Sequence, residues 1–371
     1  MSGNRRKKIR VAVGLSGGVD SSVAAFLLKE QGYEVIGLTM KIFDESSSSL
    51  SRVEGHACYG PGEREDVERA RDLCKGLGVP FYALDLKGEY EHYVLDYFRN
   101  EYLSGRTPNP CIVCNRRLKF GFLLEKARRA GTNFDAFATG HYARIEERGD
   151  RFLLKKAVDS TKDQTYFLWA LEQGQLCRVI FPLGGMTKHQ VKETARSLGL
   201  VSADQPESQD FIAGRDYSRL FKRSEIRPGD IVDETGRTLG RHEGIIYYTI
   251  GQRRGLGISS RRPLYVLGID AGKNRIIVGE KEKVFSHGLI ASQLNLIAVE
   301  RLQGAIKLKA KIRLQHREAD ATVFPLEGNR ARVLFDAPQI SVTPGQSVVF
   351  YVDDIVLGGG IIERDLGQDE K

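Results

Sequence analysis

Six residues near the start of the chain, Ser16-Gly17-Gly18-Val19-Asp20-Ser21, have the composition of a loop that wraps an anion. A glycine pair lets backbone turn tightly and approach a ligand with no Cβ in the way. A helix beginning near Ser21 would point its free N–H groups and its dipole into that turn, which favours negative charge. Ser16 and Ser21 offer hydroxyl donors to phosphate oxygens. Asp20 has the wrong sign to touch phosphate and is assigned to a Mg²⁺ ion bridging the phosphates. The loop lacks the Lys-Ser/Thr ending of a Walker A loop, and it does not contain the dinucleotide pattern G-x-G-x-x-G.

The second set of reactive residues is the cysteines. There are five, Cys58, Cys74, Cys111, Cys114 and Cys177. They are too few and too unevenly spaced for a disulfide framework, so thiols, metal ligands or nucleophiles are expected. Cys111-Ile112-Val113-Cys114 is a C-x-x-C. Cys74 fits a helix face beside Leu73 and Leu77 and reads as a small buried hydrophobe, as does Cys177 before Val179–Phe181.

These residues need elements to position them. Ile9–Leu15 is a short, β-branched apolar run that reads as a buried strand, and Ser21–Gln31 has helical spacing with Gly32 as its stop. Glu34–Met40 is a second strand, Glu63–Leu77 a helix ending at Gly78, and Pro80–Leu86 a third strand. Helices fit Tyr90–Leu103 and Leu118–Ala130, and Phe134–Thr139 is a fourth strand. Strand alternating with helix predicts a parallel sheet covered on both faces. Asp44–Ser51 is a polar, serine-rich loop.

The pattern changes after about Gln205. Glycine-rich turns separate short alternating runs at Thr238–Ile250, Pro263–Ile269, Arg275–Gly279, Lys307–Leu314 and Arg330–Phe335. A last hairpin, Ser347–Val352 with Ile355–Ile362, turns at Asp353-Asp354. Such dense strands predict a barrel or sandwich. The expected domains are 1–204, 205–280 and 281–371: an α/β parallel-sheet domain, a small mostly-β domain and a C-terminal β-barrel.

At 371 residues the chain suits two or three domains. Its 56 Lys and Arg exceed its 48 Asp and Glu, a formal charge of +8. Basic clusters at Arg5–Lys8, Arg116–Lys119, Arg253–Arg254, Arg261–Arg262 and Lys307–Arg313 suit a polyanion such as RNA, and equally suit a solubilising surface. No apolar run approaches the roughly 20 residues of a membrane span. Gly17, Gly18 and Asp20 interrupt the N-terminal apolar stretch before it could form a signal-peptide core, so a cytoplasmic location is expected.

Gly14–Ser22 (GLSGGVDSS) resembles the PP-loop of the N-type ATP pyrophosphatases, Rossmann-like proteins of the adenine nucleotide α-hydrolase type. Thr107–Phe120 (TPNPCIVCNRRLKF), Ala138–Ala143 (ATGHYA), Lys162–Leu168 (KDQTYFL) and Tyr248–Ile258 (YTIGQRRGLGI) resemble the bacterial tRNA-specific 2-thiouridylases. The similarity and the motif order run from Arg10 to about Glu363. The resemblance implies replacement of the C2 oxygen of the wobble uridine of tRNA by sulfur, with ATP and Mg²⁺. Adenylation converts a poor leaving group into AMP, and sulfur then attacks.

Position by position, the resemblance implies that Gly14, Leu15, Ser16, Gly17, Gly18, Val19, Asp20 and Ser21 hold the pyrophosphate. It places Met40 near the adenine and Gly140 at the nucleotide. His141, Lys162, Asp163, Gln164, Arg313 and Gln346 face the tRNA. The uridine is expected to flip into the cleft. It also implies a sulfur-donor protein (a cysteine desulfurase or a relay) or free sulfide, and a monomer is expected.

Two departures stand out. Better-known members carry Asp where Cys111 stands and a second catalytic cysteine near a later Phe-Ile, yet Ser208–Gly214 (SQDFIAG) has none. A two-thiol relay therefore cannot be copied unchanged. Cys58, in Gly55–Gly62, offers a third thiol. Cys58, Cys111 and Cys114 could hold a 4Fe–4S cluster, Cys114 could carry a persulfide resolved by Cys111 or Cys58, or zinc could bind with His56. The second departure is Arg313-Leu314-Gln315 in place of the Arg-Tyr-Arg of many relatives, so only Arg313 transfers. Two other functions fit parts of the sequence: a PP-loop ligase acting on a small molecule, and a non-catalytic RNA-binding sulfur carrier.

Overall fold

The computed structural model describes residues 8–45, 50, 57–200 and 211–367. Most of the serine loop, His56 and Ser208–Asp210 lie outside them. The chain divides into two compact units, 1–93 with 111–216 and 94–110 with 217–371.

In the first unit, β1 (Arg10–Gly14), β2 (Glu34–Lys41), β3 (Phe81–Asp85) and β4 (Ala136–Thr139) form a sheet completed, beyond the β5–β6 hairpin (Arg144–Arg148 and Arg151–Lys155), by the two-residue β7 (Val179–Ile180). Its order is β3-β2-β1-β4-β7, and every pairing is parallel. Helices α1 (Val19–Glu30) and α2 (Glu63–Leu77) pack on it through Val11, Val13, Ala25, Leu28, Ala70 and Cys74. Gly78, in the left-handed region at φ +62°, ends α2 as the sequence anticipates. The order runs from β1 outward to β2 and β3, then returns to the other side of β1 for β4. That reversal opens a crevice at the carboxyl ends of β1 and β4, where open α/β sheets bind ligands.

Two helices depart from regular α geometry. The helix over 87–103 contains a π-helical turn at Glu91–Leu95, and the helix over 110–129 is π-helical from Cys114 to Phe122. Such i→i+5 segments cluster at functional sites. Here Gln175 Nε2 donates to the carbonyls of Arg116 and Phe120, both at 3.0 Å.

In the second unit, β8 (Gly229–Asp233), β9 (Thr238–His242), β10 (Tyr265–Asp270) and β11 (Arg275–Gly279) form a mixed sheet ordered β10-β11-β8-β9. The strand expected over Thr238–Ile250 stops at His242 and is followed by the 3₁₀ turn Ile245–Tyr247. Gly244 and the apolar pair Ile245-Ile246, both buried, favour a tucked turn over continued alternation. Strands β12 (Phe285–Leu296), β13 (Ile306–Lys311), β14 (Ala319–Leu326), β15 (Arg330–Ile340), β16 (Ser347–Val352) and β17 (Ile355–Asp365) run β12-β15-β14-β13-β16-β17. The β12–β17 pairing closes them into an antiparallel barrel around Leu289, Val323, Val333, Val348, Phe350 and Ile362. No helix of the described residues is long and apolar enough to cross a membrane.

Candidate active site

The Ser16–Ser21 loop leaves the carboxyl end of β1 and enters α1, whose N-cap is Gly18, with no side chain capping it. Amides of the first turn of an uncapped helix are donors in search of an anion. The loop closes on itself: Ser21 Oγ donates to the Gly18 carbonyl at 3.1 Å and accepts from the Ser16 amide at 3.2 Å, and the two hydroxyls lie 3.3 Å apart. Gly17 has φ +74°, and a Cβ there would stand 2.7 Å from the Asp66 carbonyl, so both conformation and space require glycine. Leu15, buried under the loop, donates its amide to the Leu38 carbonyl at 2.8 Å. Met40 lies two residues beyond the Gly14↔Leu38 pair, at the same carboxyl edge of the sheet.

Gly140 follows β4 on the other side of the crevice. A Cβ on it would lie 2.6 Å from the Ser21 amide nitrogen and 2.7 Å from the Asp20 carbonyl carbon. Its absent side chain thus lets β4 close on the start of α1. His141 is next. Its Nδ1 lies 2.7 Å from Thr139 Oγ1, and its ring packs on Phe120 and Phe181 at 6.0 and 6.1 Å. Burial, reinforced by Lys119, holds its pKa well below the usual histidine range, so the ring is neutral.

Lys119 leads from His141 to the thiols. Burial works to lower its ammonium, but Cys114, Cys58 and Cys111 outweigh that and its pKa is raised. Burial pushes the Cys114 thiol up to about 11, with Lys119 pulling it down and Cys58 pushing it further up. Tyr90, raised well above a normal phenol by burial and then by the same three cysteines, stacks on Tyr59 with ring centres 5.1 Å apart. Tyr59 bridges to the later segment: its amide donates to the Phe211 carbonyl at 2.8 Å and its carbonyl accepts from Ala213 at 3.1 Å. Cys58, exposed, therefore adjoins Tyr59, which bridges to Phe211–Ala213, the described part of the segment that lacks a cysteine.

Several expectations change. Among the described residues no group of three or more His, Cys, Asp or Glu side chains is gathered as a metal site. Cys58, Cys111 and Cys114 share a neighbourhood without presenting a preformed ligand set for a 4Fe–4S cluster, so the residues do not fit that group as placed. Asp20 does not hold its carboxylate open for Mg²⁺: Lys188 Nζ donates to Oδ1 and Oδ2 at 2.7 and 2.8 Å, and Tyr142 donates to Oδ1 at 2.8 Å. Cys177 is exposed at the end of a short helix and is no core residue. Cys74 is 1% exposed against the bare Gly37, as anticipated.

The residues assigned to tRNA are in part engaged by the chain itself. Asp163 accepts from the Ala157 amide at 3.0 Å and from Thr165 Oγ1 at 2.6 Å, and Gln164 Oε1 accepts from the Tyr142 amide at 2.9 Å. Lys162, beside them, is half-buried. In the second unit, Gln346 Nε2 donates to the carbonyls of Thr107 and Pro108 at 3.1 and 3.2 Å, and Arg313 donates to Ile250 and Thr343. Lys188 and Tyr142 were missed as site residues: Asp20 and Lys188 are 168 positions apart, and neither stands in a pattern that announces the other.

Comparison with known proteins bears on the whole chain. Residues 9–213 match the family model described as a tRNA methyl transferase HUP domain, 219–280 its PRC-barrel domain, and 286–362 an aminomethyltransferase β-barrel domain. The curated tRNA-specific 2-thiouridylase MnmA of Acetivibrio thermocellus is 49% identical over 363 residues, covering 96% of this chain and 99% of that protein. The chain belongs to the tRNA-specific 2-thiouridylase family. A second 2-thiouridylase, from Caldanaerobacter subterraneus subsp. tengcongensis, is 50% identical over 97% of this chain and 99% of its own length. The 2-thiouridylase of Clostridium perfringens is 46% identical over 96% of this chain. A solved 4-thiouridine synthetase–RNA complex with bound ATP covers 54% of this chain and 44% of its own, at 21% identity and a TM-score of 0.35. The matched HUP domain, residues 9–213, contains the loop built here on β1 and α1.

Proposed function

We propose that this member of the 2-thiouridylase family exchanges the C2 oxygen of the wobble uridine of tRNA for sulfur, spending ATP as AMP and pyrophosphate. One observation carries the reading: the phosphate loop and the thiols belong to one compact unit and are linked by a continuous run of neighbours. Gly140 closes on Ser21, His141 packs on Phe120, and Lys119 feels Cys114, Cys58 and Cys111.

In the first step the uridine O2 attacks the α-phosphorus, the bond to the β-phosphate oxygen breaks, and pyrophosphate leaves with the electron pair. Mg²⁺ at the phosphates would neutralise charge there when bound, and the loop amides offer fixed donors, each of a kind typically worth about a hundred- to a thousandfold in rate. His141 stays neutral beside the cleft and brings no competing charge. In the second step sulfur delivered through Cys114 attacks C2 and AMP departs with the original oxygen. In this reading a sulfur-donor protein transfers sulfane sulfur to Cys114 as a persulfide; Cys111 or Cys58 attacks the Cys114 sulfur, forming a disulfide and releasing hydrosulfide as the nucleophile, and an external thiol reduces the disulfide. Free sulfide, already at that oxidation level, would attack C2 directly without a persulfide.

The test is single-turnover reaction of the purified protein with tRNA, ATP and a sulfide or persulfide source, read by nucleoside mass spectrometry and AMP release. Thiouridine equal to AMP supports the proposal. With a persulfide source, Cys114→Ser should still release AMP yet make no thiouridine. AMP formation without any need for tRNA would instead indicate a small-molecule ligase. Iron and acid-labile sulfide in anaerobically prepared protein would move sulfur delivery from a persulfide to a cluster.

A further inference from the structure

Cys114 and Lys119 belong to one helix, five residues apart. At about 3.6 residues per turn that spacing would put Lys119 roughly 140° round the axis, away from the thiol. The stretch from Cys114 to Phe122 is π-helical instead. With i→i+5 bonding, five residues make little more than one turn, and Lys119 returns to within roughly 50° of the Cys114 face. Cys111 stands one turn earlier on the same helix, so the wider turn lines the ammonium up with both thiols. The distortion is pinned from outside. Gln175 Nε2 donates to the carbonyls of Arg116 and Phe120, Asn115 Nδ2 donates to the Phe167 carbonyl at 3.2 Å, and Arg116 pairs with Glu172 at 2.6 Å.

The charge around Lys119 is one-sided. The side chain is half-buried, and among the described residues it makes no hydrogen bond and no ion pair. Burial works against its ammonium, and the groups that favour it are Cys114, Cys58 and Cys111; no carboxylate is among them. Burial keeps Cys114 a neutral thiol and Tyr90 a neutral phenol at neutral pH, and His141, whose ring packs on Phe120, is a neutral imidazole. Buried charges are ordinarily paired, so an ammonium in this setting lacks a counter-ion. The sulfur chemistry supplies one. When Cys111 or Cys58 attacks the Cys114 sulfur of a persulfide, a new S–S bond forms, the old one breaks, and its electron pair leaves on the terminal sulfur as hydrosulfide. Resting on the thiolation reading above, we propose that Lys119 forms a hydrosulfide-binding site, its ammonium holding HS⁻ beside the thiols until that sulfur attacks C2. AMP then leaves with the original oxygen, the sulfur-borne proton ends on N3, which adenylation had stripped, and an external thiol reduces the disulfide. Phosphate is the other anion of the reaction, and the uncapped amides at the start of α1 are the donors suited to it.

The experiment uses free sulfide, which needs no persulfide and therefore reads the anion site apart from the thiol relay. Thiouridine formation by the full-length protein with tRNA and saturating ATP is followed against sulfide concentration. ATP–pyrophosphate exchange in the presence of tRNA and a thermal melt are measured on the same samples. Lys119→Met should raise the sulfide concentration for half-maximal rate about ten- to a hundredfold, the loss of one charge-assisted contact, and leave exchange within about twofold. Its melting temperature should not fall, because an unpaired half-buried charge carries a desolvation cost that the variant removes. Lys119→Gln, uncharged with a polar end, should match Lys119→Met, and Lys119→Arg, which keeps the charge, should recover most of the sulfide affinity. An unchanged sulfide requirement would overturn the site. So would an equal loss of exchange, which would make Lys119 a phosphate contact or a support of the fold. Wild-type protein that uses a persulfide source but not free sulfide would overturn it as well, since a site for hydrosulfide accepts that anion from solution. Wild-type protein that makes thiouridine from neither source would refute the thiolation reading itself.

Discussion

Gly140→Ala should disable the nucleotide site while leaving the fold standing. Built on the observed backbone, the new Cβ would lie 2.6 Å from the Ser21 nitrogen, 2.7 Å from the Asp20 carbonyl carbon and 3.0 Å from the Ser21 Cα. Ordinary contact begins near 3.4 Å, so the gap must open by at least about 0.8 Å, and every neighbouring atom is backbone. No side chain can rotate aside. Either β4 or the first turn of α1 has to move, and α1 is held from behind by Val23, Ala24, Ala25 and Leu28, all 0–1% exposed. Overpacking of this kind costs about 1–3 kcal/mol, which for a unit of this size lowers the melting temperature by roughly 2–12 °C. The catalytic loss should be larger, because a displacement near 1 Å at a reacting centre costs about a hundredfold. The assay is tRNA-dependent AMP release as a function of ATP, with a thermal melt of the same sample. Gly76→Ala is the control: it sits on the exposed face of α2 with nothing within 4 Å and should stabilise by about 0.5–1 kcal/mol. A Gly140→Ala protein with wild-type KM, turnover and melting temperature would refute the claim that β4 closes on the loop through a bare Cα.

Other outcomes follow from the same geometry. Alkylation of Cys114 should be slow at pH 8 and accelerate up to about pH 11, and Lys119→Met should slow it further by removing the charge that favours thiolate, as peptide mapping of timed iodoacetamide reactions would register. Because the folded Cys74 thiol is also pushed up to about 11 by burial, its contribution to stability should be complete below the ordinary thiol value and fade as pH rises through about 11; denaturant melts of wild type against Cys74→Ala would show the difference vanishing there. His141, whose pKa is held low by burial and Lys119, should stay neutral throughout pH 6–8 in NMR titration; its contribution to stability is full above the ordinary histidine value and lost as pH falls below it. Gln346→Ala should destabilise the second unit by about 0.5–1.5 kcal/mol, since the carbonyls of Thr107 and Pro108 lose a donor, and an unchanged urea midpoint would count against that role.

What the sequence by itself determined is everything that local physics can encode. A β-branched run ending in Gly14 makes β1 wherever it sits in the sheet, a glycine pair makes the turn, and the helical spacing ended by Gly32 makes α1. Observed bounds differ from the expected ones by a residue or two for β1, α1, β2 and β3, and α2 matches at both ends, because each carries its own start and stop signals. The alternation at Lys307–Leu314, Arg330–Phe335 and the last hairpin likewise announced β13, β15, β16 and β17, since period-two burial is a property of neighbouring residues, whereas β12 and β14 were not read from it. Silent elements were those with no local signature: two-residue β7, the hairpin β5–β6 hidden among charged residues, and the π-helical turns, which the periodicity of 3.6 reads as plain helix. The Thr238–Ile250 run misled for the same reason, its alternation being real only as far as His242.

Only tertiary structure decided what the reactive side chains touch. Asp20 reads as a metal ligand because a carboxylate beside a phosphate loop needs a cation; what the sequence did not announce is that folding brings Lys188 to that carboxylate from 168 residues away. Gly140 looked like a residue that approaches nucleotide, and the fold makes it first a residue that approaches the loop. Cys74 and Cys177 read alike in sequence, yet one faces the sheet across Gly37 and the other faces water, because a thiol has no charge to declare its side. Residue types set which chemistry was possible at Ser16–Ser21 and Cys111–Cys114; the strand order that reverses beside β1, and the helix that delivers Lys188, set which groups meet there.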